Sequence, residues 1–354
     1  MKKAFLWTAA LIALATASCS KHKAITVPGP SIEVTVSIKG DAPGTRATGT
    51  TYADESRVTS LQVFVFNGDD REAYRSVRKD EQHPDANPMQ ALVPAQAGER
   101  TVWCIVNAPD LSSMMSIGTL TEEVTKLSDN TPDSFLMTGS VTQVLEDGGN
   151  VPVVVKRIVS RVSVAKISTA FKDYRAGYSV GIRGIYLINV AADNNYAVTG
   201  SASTWTNMLG HNEETYDSLL ADALSDVTVK NDSPYEKEHA FYPYPNSWGT
   251  NMENFGRNYS DTWSPRPSML VIEAEVFDGE GHVIVLPNTE SQTVGYYPIE
   301  LPVLERNKTY SIEEVVITRL PGSKPYEPIE TGETQVTITV ADWELGLNLG
   351  TITI

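Results

Sequence analysis

Residues 31–38, Ser-Ile-Glu-Val-Thr-Val-Ser-Ile, alternate without a break, with Ile32, Val34, Val36 and Ile38 on one side and Ser31, Glu33, Thr35 and Ser37 on the other. A repeat of two residues fits a half-buried β-strand and no helix. Four β-branched side chains on a buried face contribute together about 6–12 kcal/mol, at roughly 1.5–3 kcal/mol each. The core that receives them therefore leans on this strand. It is followed at once by Gly-Asp-Ala-Pro-Gly-Thr-Arg-Ala-Thr-Gly-Thr-Thr (40–51), in which Arg46 is the single basic residue. A strand that a core needs is thus tethered by a segment with the composition of an easily cut loop.

Short alternating or apolar runs bounded by turn residues recur along the rest of the chain. They include Ser56–Phe66 before Asn67-Gly68, Met89–Val93, Arg100–Val106, 134–139, the long run 151–167, Tyr178–Ala191, Ser268–Phe277, His282–Leu286, Val294–Leu301, Tyr310–Thr318 and Val336–Val340. Asp69–Gln82 reads as a loop or a short helix. Thr119 is the expected cap of a short helix carrying Glu122 and Glu123 near its positive end. Residues 192–265 read as surface loop with a short helix at Tyr216–Leu224. The pattern predicts an all-β fold with few short helices, most simply two β-sandwiches in tandem. The run 151–167 changes its buried face near Arg157, which places an N-terminal sandwich at 47–157 and a C-terminal one at 158–354.

The first nineteen residues carry Lys2 and Lys3, an apolar stretch Ala4–Ala15, and Thr-Ala-Ser-Cys ending at Cys19. This resembles a bacterial lipoprotein signal, whose cysteine becomes the lipidated first residue. Thr16 departs from the usual Leu, and the plainer alternative is an ordinary secretory signal with a chance cysteine. The segment from Ser20 to Pro30 then reads as a tether.

Several function classes find little support. The 28 Lys and Arg stand against 44 Asp and Glu, a formal net charge of −16, which disfavours nucleic acid as a partner. Cys104 is the second of two cysteines and sits in an apolar run, so neither a disulfide nor a thiolate metal site is expected. There is no nucleophile elbow, zinc-protease motif or phosphate loop. The acidic pairs Glu122-Glu123, Glu213-Glu214 and Glu313-Glu314 read as solvated faces, and neither a metal nor a cofactor is expected. The aromatic stretch Phe-Tyr-Pro-Tyr-Pro-Asn-Ser-Trp-Gly (241–249), with Trp205, Tyr259 and Trp263 near it in sequence, suits either sugar stacking or packing of a long loop on its own domain, and the second reading is preferred.

The lipoprotein signal, Glu55–Gly68, Arg100–Asp110, Ser134–Gly139, Lys156–Ile167, Glu305–Ile312 and Val336–Glu344 occur in an order that resembles the fimbrillin family of the Bacteroidales, the major fimbrial subunits of type V pili. The resemblance spans the chain and is poorest at 192–265. It implies two transthyretin-like β-sandwich domains and a lipidated precursor carried to the outer membrane. It further implies a cut by an arginine-specific, trypsin-like protease between Arg46 and Ala47. Residues 20–46 would then be a tether with a removable first strand. Polymerisation by strand exchange would follow, giving an extracellular fimbrium of like and accessory subunits with a host or bacterial surface ligand. The expected donor is the C-terminal segment bearing Leu345, Leu347, Leu349, Ile352 and Ile354. Competing readings are a tip or accessory adhesin, a glycan-binding surface lipoprotein and, on the acidic pairs alone, a secreted hydrolase.

Overall fold

The computed structural model describes residues 29–40, 55–200, 202–207, 219–248, 265–326, 339–342 and 351–353. The alternating segment forms strand β1 (Ser31–Gly40), with Ile32, Val34, Val36 and Ile38 all buried. After it come β2 (Ser60–Asn67), β3 (Asp70–Arg78), β4 (Gln90–Gln96), β5 (Gly98–Val106), helix α1 (Ile117–Glu122), β6 (Val124–Lys126), β7 (Met137–Leu145) and β8 (Asn150–Arg157). Seven of these strands make one sheet in the order β3-β2-β5-β7-β8-β1-β4. The sheet folds over on itself. Val34, Val36, Val93, Val151 and Val153 from β1, β4 and β8 share a core with Leu61, Val63, Val102 and Cys104 from β2 and β5. At the fold β7 meets β8 through the pairs Met137–Arg157 and Thr138–Lys156.

The chain changes sheet after Arg157. It continues as β9 (Arg161–Val164), β10 (Ile167–Thr169), β11 (Ser179–Ile188), β12 (Val190–Ala191), β13 (Asp193–Asn195), β14 (Trp205–Thr206), β15 (Ala221–Val229) and β16 (His239–Phe241). Then follow β17 (Met269–Phe277), β18 (Val294–Glu300), β19 (Lys308–Ile312), β20 (Glu314–Ile317), β21 (Thr339–Asp342) and β22 (Thr351–Thr353). They build the sheets β15-β11-β17-β18, β16-β9-β19-β21 and β10-β20-β22, and β12 pairs with β14. β13 pairs with β6, so the two halves share a two-stranded sheet.

The halves also share a core. Phe64, Phe66 and Ile105 lie on the faces of β2 and β5 turned away from β1, and they pack in one cluster with Leu120, Phe135, Val162, Tyr242, Tyr297 and Ile312. The fold is all-β, as the pattern predicts.

Several local expectations are corrected. Asp70–Arg78 is a strand, neither loop nor helix, because Gly68 in the left-handed region (φ 61°) turns the chain straight back along β2. Its polar composition suits an edge strand. The cap of α1 is Ser116, whose Oγ accepts from the Thr119 amide at 3.1 Å. Thr119 is the third helical residue, and its hydroxyl accepts in return from the Ser116 amide. Glu122 therefore ends the helix and has no role at its positive end. Ala221–Leu224, expected to be helical, belongs to strand β15. His282–Leu286 contributes an isolated bridge between Phe277 and Val283 instead of a strand.

Residues 192–265, expected to be surface loop, contain β13, β14, β15 and β16. Phe241, Tyr242 and Tyr244 are fully buried, in keeping with the preferred packed reading of the aromatic stretch. Tyr244 donates to the Lys126 carbonyl at 2.8 Å and accepts from the Asn130 amide at 3.0 Å. Its hydroxyl also lies 2.9 Å from Thr125 Oγ1. Tyr244→Phe would leave buried groups of Asn130 and Lys126 unpaired, so it should lower unfolding stability by about 1–3 kcal/mol. Urea titration should show an earlier midpoint with an unchanged slope.

Candidate functional site

β1 lies inside its sheet, one strand from the end, and uses both of its main-chain edges. It runs antiparallel to β4, with Val34 opposite Val93 and Val36 opposite Ala91. On its other side it runs parallel to β8, with Val36 opposite Val151 and Ile38 opposite Val153. Turn Asp147–Asn150 holds the start of the strand. Asp147 Oδ1 accepts from the Glu33 amide at 3.1 Å, and the Gly148 and Gly149 amide and carbonyl bond Glu33 and Thr35 at 2.9 Å each. Without β1, β4 and β8 would present two facing rows of unpaired N–H and C=O groups above an apolar floor. A slot of that width accepts another strand and little else.

Glu55 lies on a buried ionic junction. Arg161, 3% exposed, lies 3.3 Å from Glu55 and 2.8 Å from Glu238. Tyr242 donates to Glu55 at 2.5 Å. Arg157 donates to the Glu55 carbonyl at 3.1 Å and to Ser56 Oγ at 3.1 Å. Burial alone would pull the Arg161 guanidinium down, but Glu55 and Glu238 more than offset it, and its pKa lies above the ordinary value. Arg157 moves the other way: burial outweighs the Glu55 charge and lowers it. Burial, reinforced by the Glu55 charge, pushes the Tyr242 hydroxyl up. The junction thus pins residues 55–56 to the point where the chain passes between sheets.

Cys19, Arg46, Ala47, Leu345, Leu347, Leu349 and Ile354 lie outside the described residues. Ile352 is in β22, whose main chain runs parallel to β20, opposite Val315. β22 is the outer strand of that sheet. Cys104 is fully buried, and burial pushes its thiol far up. Asp69 accepts the Ile117 and Gly118 amides at the start of α1, and Asp278 accepts the Glu280 and His282 amides of its own turn. Glu314 pairs with Lys166 at 3.1 Å. Tyr259 and Trp263 fall outside the described residues, whereas Trp205 and Trp248 help to line a cleft of 410 Å³ together with Arg306. The junction escaped the sequence reading because its partners stand far apart in the chain; the two arginines, Arg157 and Arg161, inside an apolar run were its signal.

Residues 31–170 match the protein family described as "Major fimbrial subunit protein (FimA)". The chain is similar to the major fimbrium subunit FimA type-3 of Porphyromonas gingivalis, with 22% identity, 97% of this chain and 98% of that one covered. Its fold is similar to that of a fimbrilin (fimA) from Porphyromonas gingivalis W83, at a TM-score of 0.61 and 16% identity over 91% of this chain and 96% of the other. It is also similar to the tip fimbrial protein Mfa3 of Porphyromonas gingivalis with C-terminal truncation, at a TM-score of 0.52 and 14% identity over 89% of this chain and 100% of the other. These matches bear out the resemblance read from the sequence. The matched family is one of fimbrial subunits, a structural and not a catalytic class of protein.

The junction makes its own stability prediction. Arg161→Met would strand the Glu55 and Glu238 carboxylates beside an apolar side chain, and losing one partner of a buried pair costs about 3–5 kcal/mol. Urea unfolding of this variant should show a loss of that order.

Proposed function

We propose that this chain is a structural subunit of an adhesive cell-surface fimbria. It is exported as a lipoprotein with palmitate-type acylation at Cys19, held at the outer membrane, cut between Arg46 and Ala47 by an arginine-specific trypsin-like protease, and polymerised by strand exchange. Its plan is a signal at 1–19, a tether and removable strand at 20–46, an N-terminal sandwich at 47–157 and a C-terminal sandwich at 158–354. The observation that carries this reading is the position of β1. It fills the core with four buried side chains and both neighbouring edges with hydrogen bonds, yet Arg46 follows it within a run of small residues.

Cutting at Arg46 leaves β1 held by non-covalent contacts alone, while Glu55 and Ser56 stay tied to Arg157 and Arg161. Departure of β1 opens the slot between β4 and β8 as a template for strand addition. The donor is the segment Leu345–Ile354 of a neighbouring subunit, in which Leu345, Leu347 and Leu349 alternate and Gly350 shifts the parity ahead of Ile352 and Ile354. Within one chain Thr351–Thr353 pairs along a single edge of β20. The slot offers two edges, so transfer to a neighbour gains main-chain pairing.

Three outcomes test this reading. Arg46→Ala should yield a lipid-anchored monomer that forms no filament under electron microscopy, and filaments as abundant as wild type would refute the cut. Cys19→Ser should accumulate as precursor with a bare cell surface; normal surface filaments in that strain would remove the lipoprotein route. Cysteines introduced by Leu347→Cys and Ala91→Cys should give covalent ladders only after protease treatment. Ladders of equal strength in the Arg46→Ala background would rule out strand exchange at this slot.

A further inference from the structure

The cleft beside Trp205 and Trp248 is built from five separated segments: β13 and the turn after it, the start of β14, the end of the aromatic stretch, Pro265, and the residues before β19. Its 410 Å³ falls within the range of small-ligand sites and suits one or two sugar units. Both indoles are half-buried on its wall. Asn194 and Thr199 bring polar groups to the same wall.

Arg306, partly buried, lines the cleft too, and its surroundings differ from those of Arg100 and Arg161. Arg100 pairs with Glu72 at 2.7 Å, and Arg161 pairs with Glu55 and Glu238. Arg306 instead donates to main-chain carbonyls: Arg157 at 3.1 Å, Thr138 at 3.2 Å, and Lys156, with a further bond of 3.0 Å to Thr138 Oγ1. Among the described residues no carboxylate lies within ion-pairing distance of it. Burial alone takes its guanidinium down to about 10. Carbonyls orient this cation without neutralising it, and a buried charge without a counter-charge is costly.

A third observation falls at the same place. Val198, on the cleft wall, has φ 55°. A β-branched residue in the left-handed region is a strained one, and such strain gathers at binding sites. The turn is held there by the Val198 amide donating to the Asn195 carbonyl at 2.9 Å.

We infer that this cleft binds a carboxylated sugar, a uronic or nonulosonic acid unit of a cell-surface glycan, with the Trp205 and Trp248 indoles against the pyranose ring and the Arg306 guanidinium receiving the carboxylate. Nε and Nη2 are taken up by the Arg157, Lys156 and Thr138 oxygens, so Nη1 is the guanidinium nitrogen left to donate to the carboxylate. Indole rings offer an apolar face with a polar edge, which suits the C–H face and hydroxyl rim of a sugar. One uncompensated cation accommodates one negative charge. Exposed Glu305 at the rim and the net charge of −16 turn away polyanions. This site is independent of the strand-exchange reading, since binding is measured on unpolymerised chain.

The test is calorimetry or saturation-transfer NMR on the purified full chain with methyl β-D-glucuronide, N-acetylneuraminic acid and, as the neutral isostere of the first, methyl β-D-glucoside. At least one acid should bind at least tenfold more tightly than the glucoside, and the difference should shrink at 0.5 M salt, where charge interactions are screened. Trp248→Ala and Trp205→Ala should each weaken binding tenfold or more in a chain whose urea midpoint stays within its normal range. Arg306→Lys, which keeps the charge but has no second nitrogen to reach the carboxylate while the first holds the main-chain oxygens, should weaken the acid and leave the glucoside unchanged. Absence of saturable binding by both acids, equal binding of glucuronide and glucoside, or full binding by both tryptophan variants would each overturn the proposal.

Discussion

The rest of the N-terminal architecture depends on the two-sided pairing of β1. β4 reaches the sheet only through it, and β8 has it as the partner along most of its length. The sheet can fold into two layers because β1 carries the bonding from β8 to β4 while β7 and β8 share only a short ladder. Its four buried side chains then close the layer over Leu61, Val63, Val102 and Cys104. One segment thus supplies both the hydrogen-bonded continuity of the sheet and a large share of its core.

The second constraint is the core shared between the halves. β2 and β5 are apolar on both faces, which a strand of a free-standing half-exposed sandwich would not be. Their outer faces are covered by Val162, Tyr242, Tyr297 and others contributed from beyond Arg157. The β6–β13 pairing and the Glu55–Arg161–Glu238 junction lie along the same boundary. The halves are therefore joined by apolar packing, main-chain pairing and buried charge together.

What the sequence disclosed follows from which signals are local. β1, β2, β5, β8 and β17 were legible because apolar residues alternate or run together within each. β3 was not, since an edge strand keeps its polar residues and lacks the apolar stripe that betrays its neighbours. The start of α1 was misplaced by one turn because Ser116 and Thr119 both have capping hydroxyls, and the reciprocal bonds between them are visible only in three dimensions. Tyr242 and Tyr244 were expected to pack onto their own domain, but what their hydroxyls bond was not legible. Their hydroxyls find partners in Glu55, Lys126 and Asn130, all more than a hundred residues away. The junction and the cleft share this origin: each gathers side chains from segments that nothing in the linear order connects.

The mixed pairing around β1 has a directional consequence. Because β4 and β8 run antiparallel to each other across the gap, any strand between them must be parallel to one and antiparallel to the other, whichever way it enters. The main chain of the slot is accordingly close to indifferent to polarity. Direction must be set by side chains, through the sizes of the pockets under Ile32, Val34, Val36 and Ile38 and the match of an incoming apolar series to them. In a chain of such subunits, head and tail would be told apart by the spacing of a few aliphatic residues, a code written in volume and not in hydrogen bonds.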